Sequence, residues 1–264
     1  VYICENPNKT MSRFSIVIPS FKASILGAIL CATFFVSAQE QNLQKQYDSI
    51  SEILLKTKNR DSIVHLLHLQ KELASTSNNK KQLISLNIKL GSNSNDGNDE
   101  QVNYLETAYA LSKELKDTVN LAKTSALLAR ALQVKNAYRD ALLYVNESIK
   151  LSEKLGDKNA IISAYSTRAN IYNNISQITD AIKDLNIAKK IAMQMPDNEK
   201  LLIPLLKTAS YIQYSNEQYE GGLRTLDEII TYYEENENER RSAIWRNNKA
   251  CLLYTSPSPR DKRQ

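Results

Sequence analysis

Two histidines, His65 and His68, are the whole imidazole complement of the chain, and they stand three residues apart. On a helix that spacing puts both rings on one face, as two ligands of a divalent metal would need. No Glu-x-x-His or His-Glu-x-x-His pattern supplies further ligands, so the pair reads as ordinary helix residues and no metal is expected. Cys4, Cys31 and Cys251 all lie near the two ends. The body between residues 39 and 250 therefore offers no disulfide, thiol nucleophile, cysteine-ligated zinc or iron–sulfur site. A Ser-His-Asp or Cys-His site is excluded away from the histidine pair. No Walker sequence, GxGxxG or GxSxG occurs, and no cofactor is expected. Carboxylates are plentiful, notably in EENENER at 234 to 240. That run reads as a solvated helix end and loop, while paired-carboxylate chemistry stays formally open. The piece present is read as non-catalytic.

These groups have to be carried by elements, and the composition says which. The 264 residues contain only 6 Gly and 6 Pro, with 42% hydrophobic and 24% charged residues. So few turn formers in a foldable chain argue against a turn-rich β-sandwich and for helix after helix. The net charge of +5 comes almost wholly from the ends: residues 39 to 250 hold 28 basic and 27 acidic side chains. A basic footprint for nucleic acid or an anionic membrane is therefore missing, and no direct nucleic-acid binding is expected.

The ends read differently from the body. From Met11, MSRFSIVIPSFK leads into the uncharged run Ala23 to Ala38, with Arg13 and Lys22 before it and the junction VSAQEQ after it. A positive region, an apolar region and a small-residue junction describe a secretory leader over residues 11–38, cut after Ala38. The run has 16 residues, against the roughly 20 of a membrane span. Leu30 precedes Cys31, so a lipid anchor is not expected. Residues 1–10 lie upstream of this start. At the other end, CLLYTSPSPRD resembles a translated sequencing-library adapter, which makes residues 251–264 an artefactual tail and the repeats before it a truncated series.

Internal repetition organises the rest. LQKEL at 69 to 73, LSKEL at 111 to 115, LSEKL at 151 to 155 and IAMQM at 191 to 195 recur at spacings of 42, 40 and 40. Ala129, Ala169 and Ala209 share this register, as do Ala141 and Ala181, and one extra residue near Asn216 brings Gly222 into the second column. Within one repeat, Leu121, Ala126, Leu128, Ala129, Leu132 and Val134 mark one amphipathic helix. Ala141, Leu142, Val145, Ile149 and Leu151 mark the next. Small residues at the crossings let paired helices approach closely. Gly156 suits a left-handed helix end, and Asp157 suits the cap of the next helix. Tyr138, Tyr144, Tyr165 and Tyr172 fall in register and read as packing between helices, with hydroxyls reaching the surface.

The stretch NAYRDALLYVNESIKLSEKLGD at 136 to 157, with Tyr138, Ala141 and Ser148 at aromatic, small and small positions, resembles the tetratricopeptide repeat family in its longer, LGD-ending form. The resemblance covers most of residues 60 to 250. It implies an all-α right-handed solenoid of antiparallel helix pairs: a capping region over 39–79, then repeats at 80–118, 119–158, 159–198 and 199–238, and a partial one at 239–250. By resemblance, the first helix of each repeat lines a concave groove for a peptide or protein. The groove positions are Lys123, Arg130 and Gln133, then Ser166, Asn170, Asn173 and Asn174, then Lys207, Gln213 and Tyr214. The junction and the Lys-, Asn- and Ile-rich body look like exported proteins of the Bacteroidetes type. That likeness implies an extracytoplasmic protein-binding domain, either the sensory front of a membrane-spanning signalling protein whose span lies beyond Ala250, or a free adaptor. An enzyme with its catalytic domain beyond Ala250 is the remaining alternative.

Overall fold

The computed structural model describes residues 39–196 and 198–255. The expected leader at 11–38, residues 1–10 and the tail from residue 256 lie outside them. All regular structure among the described residues is helical, in eleven successive helices. They fall into two compact units, up to Leu83 and from Ile84 onward.

The first unit contains α1 (residues 39–56) and α2 (Arg60–Thr76). Asn59 caps α2, its side-chain oxygen accepting from the Ser62 N–H at 2.9 Å. Gln70, buried on α2, donates from Nε2 to Ser51 Oγ at 2.6 Å and to the Tyr47 carbonyl at 3.2 Å, tying the two helices together. His65 and His68 are both exposed. No cluster of three potential metal ligands occurs among the described residues.

The second unit opens inside α3 (Lys80–Asn93) and continues with α4 (Asp99–Glu114), α5 (Thr118–Val134) and α6 (Tyr138–Leu155). Then come α7 (Lys158–Asn174), α8 (Ile178–Ala192), α9 (Glu199–Ser215), α10 (Tyr219–Glu235) and α11 (Glu239–Thr255). From α4 on, each helix packs on the next, and alternate helices α5, α7 and α9 also touch. This is the helical-repeat solenoid that the register implies. Its core is continuous: one apolar cluster runs from Val102 and Leu105 to Ile171, a second from Ile162 to Ile212, and a third from Leu202 to Tyr233.

Chain reversal has a common geometry. Lys116, Asn136, Gly156 and Ser176 follow successive helix ends at intervals of 20 residues, as do Glu217 and Glu237 in the last repeat, all with φ between 52° and 69°. After each, the next residue's N–H reaches back five positions, as in Asp117 to the Ser112 carbonyl at 2.9 Å and Gln218 to that of Gln213 at 2.8 Å. This satisfies the helix's orphan carbonyls. Asp117 and Asp157 then cap the following helices, accepting from Asn120 N–H and Ala160 N–H, each at 3.0 Å.

At the crossings Ala129, Ala141, Ala169 and Ala181 are fully buried. A Cβ on Gly222 would stand 3.2 Å from the Ser210 carbonyl oxygen, which explains a glycine in that column. Ser148 Oγ donates to the Ala122 carbonyl at 3.1 Å, joining α6 to α5. The four tyrosines are half-buried among the core clusters; Tyr138 and Tyr165 donate their hydroxyls to Asn136 and Glu153. Val134, expected inside, is the last residue of α5 and is 50% exposed. Helix α11 runs five residues past Ala250 to Thr255. Leu252 packs against the Tyr233 cluster, and its carbonyl accepts from the Tyr214 hydroxyl at 3.2 Å. The residues after Ala250 contain no helix breaker before Pro257, so the helix simply continues.

Polar ties also join repeat to repeat. The Arg168 guanidinium lies between α6 and α8: Nε and Nη2 donate to Asp184 at 2.6 and 2.8 Å, and Nη1 donates to Asn146 Oδ1 at 2.7 Å. It stacks near Tyr165 and Tyr172, 5.0 and 5.8 Å from their centroids. The hydrogen bond to Asp184 holds the guanidinium above its ordinary pKa. Lys189 and Glu228 pair at 2.8 Å between α8 and α10.

This packing sets two stability outcomes. Ser176→Gly and Glu217→Gly each relieve a left-handed Cβ and are expected to stabilise the fold by about 1 kcal/mol, while Gly156→Ala destabilises it by a similar amount, read from urea midpoints. Arg168→Ala leaves Asp184, with only 4% of its side chain exposed, buried without its cation, and is expected to cost about 3–5 kcal/mol. The double variant Arg168→Met/Asp184→Leu should recover most of that loss in the same measurement.

Candidate functional site

On the first-helix side, α5, α7 and α9 enclose a pocket of about 460 Å³. Arg130 and Gln133 come from the last turns of α5, Ser166 and Asn170 from the middle of α7, and Lys200 from the start of α9. Ile162, Leu201 and Leu205 with the exposed Val134 supply apolar surface, and Asn159, Ser163 and Thr167 add short polar groups. The geometry comes from the repeat. Residues one helical turn apart share a face, and the register lays that face of each first helix beside the next.

Its electrostatics are one-sided. Arg130 and Lys200 are cations, the other polar lining residues carry amides or hydroxyls, and among the described residues lining it none is acidic. Pro204, also on the wall, has no N–H, so the Lys200 carbonyl lacks its usual helical donor there. The site can donate to an anionic or carbonyl group from several directions and can accept a backbone N–H.

Four of the ten positions expected to line the groove meet in this pocket: Arg130, Gln133, Ser166 and Asn170. Lys123 lies on the same helix, exposed and outside it, and Asn174 is exposed at the end of α7. Asn173 is engaged within the protein, its Oδ1 accepting from Asn216 Nδ2 at 3.1 Å. Gln213 accepts from Thr225 Oγ1 at 2.9 Å and borders the crevice between α8 and α10 instead. Tyr214 turns toward α10 and α11, with its ring edge-on to Tyr219 at 5.0 Å and its hydroxyl on the Leu252 carbonyl. Lys207 lies 5.7 Å from the Trp245 ring centroid.

Sequence reasoning missed Lys200, Asn159, Ser163 and Thr167. Ser163 stands 40 residues after Lys123 and Thr167 40 before Lys207, so carrying each chosen position through every repeat would have found those two. Lys200 has Ala160 at its register position and gave no such signal.

No protein-family model matches the chain, and no curated protein matches it by sequence. Its backbone is similar to that of RapI, a tetratricopeptide-like helical-repeat protein solved in its apo form. The TM-score is 0.66 at 15% identity, over 80% of this chain and 78% of RapI. BtubC (BKLC) from P. vanneervenii overlaps 85% of this chain and 94% of its own at 12% identity, with a TM-score of 0.47. The chain thus has a helical-repeat solenoid fold like that of RapI.

Proposed function

We propose that this chain is an exported, non-catalytic helical-repeat domain that holds a peptide segment of a protein partner in its first-helix groove. The carrying observation is the pocket between α5, α7 and α9, where two cations, amides and hydroxyls surround an apolar floor. An extended peptide offers partners for such a wall: carbonyl oxygens along its backbone and a carboxylate at its end or on a side chain. Arg130 presents a planar fork for bidentate contact and Lys200 a point charge.

The export reading rests on the sequence from Met11 to Ala38. In this reading the domain is the sensory front of a membrane-spanning signalling protein. No described helix is long and apolar enough to cross a membrane, so the span and the output belong to sequence beyond these helices. A ligand would signal only by binding one arrangement of the stacked helices better than another, and that difference in affinity sets the largest shift it can cause. A free adaptor shares the groove and differs in lacking the span.

Fluorescence polarisation with a labelled pool of random decapeptides tests the groove. Arg130→Ala and Lys200→Ala are each expected to weaken binding about tenfold or more, the loss of a charge-assisted hydrogen bond, while Lys123→Ala leaves it unchanged. Equal binding by all three variants overturns the assignment. Mass spectrometry of the secreted chain should find Gln39 as the mature N-terminus; a chain retaining Met11 overturns export.

A further inference from the structure

We propose that the cavity between α8, α9 and α10 binds a small monocarboxylate whose apolar body is no larger than a single ring. The cavity measures about 230 Å³. Ile182 and Leu185 of α8, with Leu205, Leu206 and Ala209 of α9, form its apolar floor. Asn186, Gln213, Arg224, Thr225 and the pair Lys189 and Glu228 form its rim. Leu205 is the one residue it shares with the lining of the first-helix pocket, whose cations Arg130 and Lys200 lie outside it.

The preceding repeat explains why the space is open. There Arg168 of α7 fills the corresponding position, bonded to Asn146 of α6 and Asp184 of α8 and lying 5.0 Å from the Tyr165 ring centroid. Forty residues on, Asn186 repeats Asn146, Thr208 stands in place of Arg168 and Leu205 in place of Tyr165. With the extra residue near Asn216, Thr225 stands in place of Asp184. Asn186, Leu205 and Thr225 all line the cavity. Thr208 turns its hydroxyl back onto the Pro204 carbonyl of its own helix at 2.9 Å. A guanidinium and a phenol ring are thus replaced by a short hydroxyl side chain and an isobutyl group, and the volume they filled is left over.

The same exchanges reverse the charge. The acid of the earlier site, Asp184, has become a neutral threonine, and the one acid in this lining, Glu228, is held by Lys189 at 2.8 Å. Arg224, exposed on α10, makes no ion pair or hydrogen bond among the described residues, so the uncompensated charge at the rim is positive. Gln213 Oε1 accepts from Thr225 Oγ1 at 2.9 Å, which leaves its Nε2 as a second donor. Gly221 makes room for that amide, since a Cβ there would stand 3.0 Å from Nε2. A carboxylate matches the planar fork of Arg224. A floor of branched aliphatic groups asks for an apolar body to cover it, which phosphate and sulfate lack. Pockets for drug-sized ligands run to roughly 300–1,000 Å³, so this smaller one admits one ring or a short alkyl chain.

The test is a methyl NMR titration of the whole chain with benzoate, read at the Leu205 and Leu206 methyl signals. Saturable shifts are expected, while benzamide, of the same shape without the charge, and acetate, with the charge and no ring, bind about tenfold more weakly or less. Arg224 is exposed, so Arg224→Gln keeps the fold, and it should weaken benzoate about tenfold. Thr208→Arg/Thr225→Asp rebuilds the ion pair of the preceding repeat across the cavity and should abolish binding; if that variant does not fold, Arg224→Gln decides by itself. Absence of saturable shifts up to the probe's solubility, benzamide or acetate binding as tightly as benzoate, undiminished binding by the folded double variant, or an unaffected Arg224→Gln overturns the proposal.

Discussion

From α4 onward, each helix has to hand the chain back alongside itself, and among the described residues a left-handed residue does this at the ends of α4, α5, α6, α7, α9 and α10. Its recurrence at 20-residue intervals from Lys116 to Ser176, and again from Glu217 to Glu237, fixes helix length there, and with it which side chains come to the crossing points. Only then can Ala129 and Ala141, or Ala169 and Ala181, meet without separating the helices. Glycine fills the position once among the six, at Gly156; lysine, asparagine, serine and glutamate accept it elsewhere because the backward hydrogen bond and the next helix hold them there.

With the backbone arranged in this way, the two sides of the stack are used differently. On the second-helix side, charged and aromatic groups one repeat apart reach each other, and Arg168 with Asp184 and Asn146 binds three consecutive helices into one body. On the first-helix side, polar groups at the same register stay apart and face a shared pocket. A solenoid gains its stability from neighbour contacts, so a face that spends its polar groups on such contacts rigidifies the stack, and a face that does not remains available to a partner. Asn173, Gln213 and Tyr214 show how readily a first-helix residue crosses from one role to the other. Each found a protein partner because the adjoining helix or turn placed an acceptor or donor within reach.

The two histidines are exposed on one helix of the first unit, and the carboxylates of the second unit are engaged with arginine, lysine or tyrosine at several of the crossings. The described surface offers arrays of hydrogen-bonding groups at fixed spacing, which can select a shape and a charge pattern.

The sequence alone determined the fold, because a helical repeat writes its packing into a period: small residues 40 apart must meet small residues, and apolar residues three and four apart must face inward. It also determined that Gly156 would end a helix and Asp157 begin one, since those are local effects of a missing Cβ and a short acceptor. It did not determine the left-handed turns at Lys116, Ser176, Glu217 and Glu237, whose residue types carry no such preference, nor the packing of Leu252 at the end of α11 against the Tyr233 cluster. Which polar first-helix residues stay open was also beyond it. Arg130 and Asn170 remain in the pocket while Gln213 is drawn away by Thr225, and that choice depends on where a neighbouring helix sets its hydroxyl. Contacts between repeats are decided only once the backbone has brought distant residues within about 3 Å, a distance no spacing in the chain encodes.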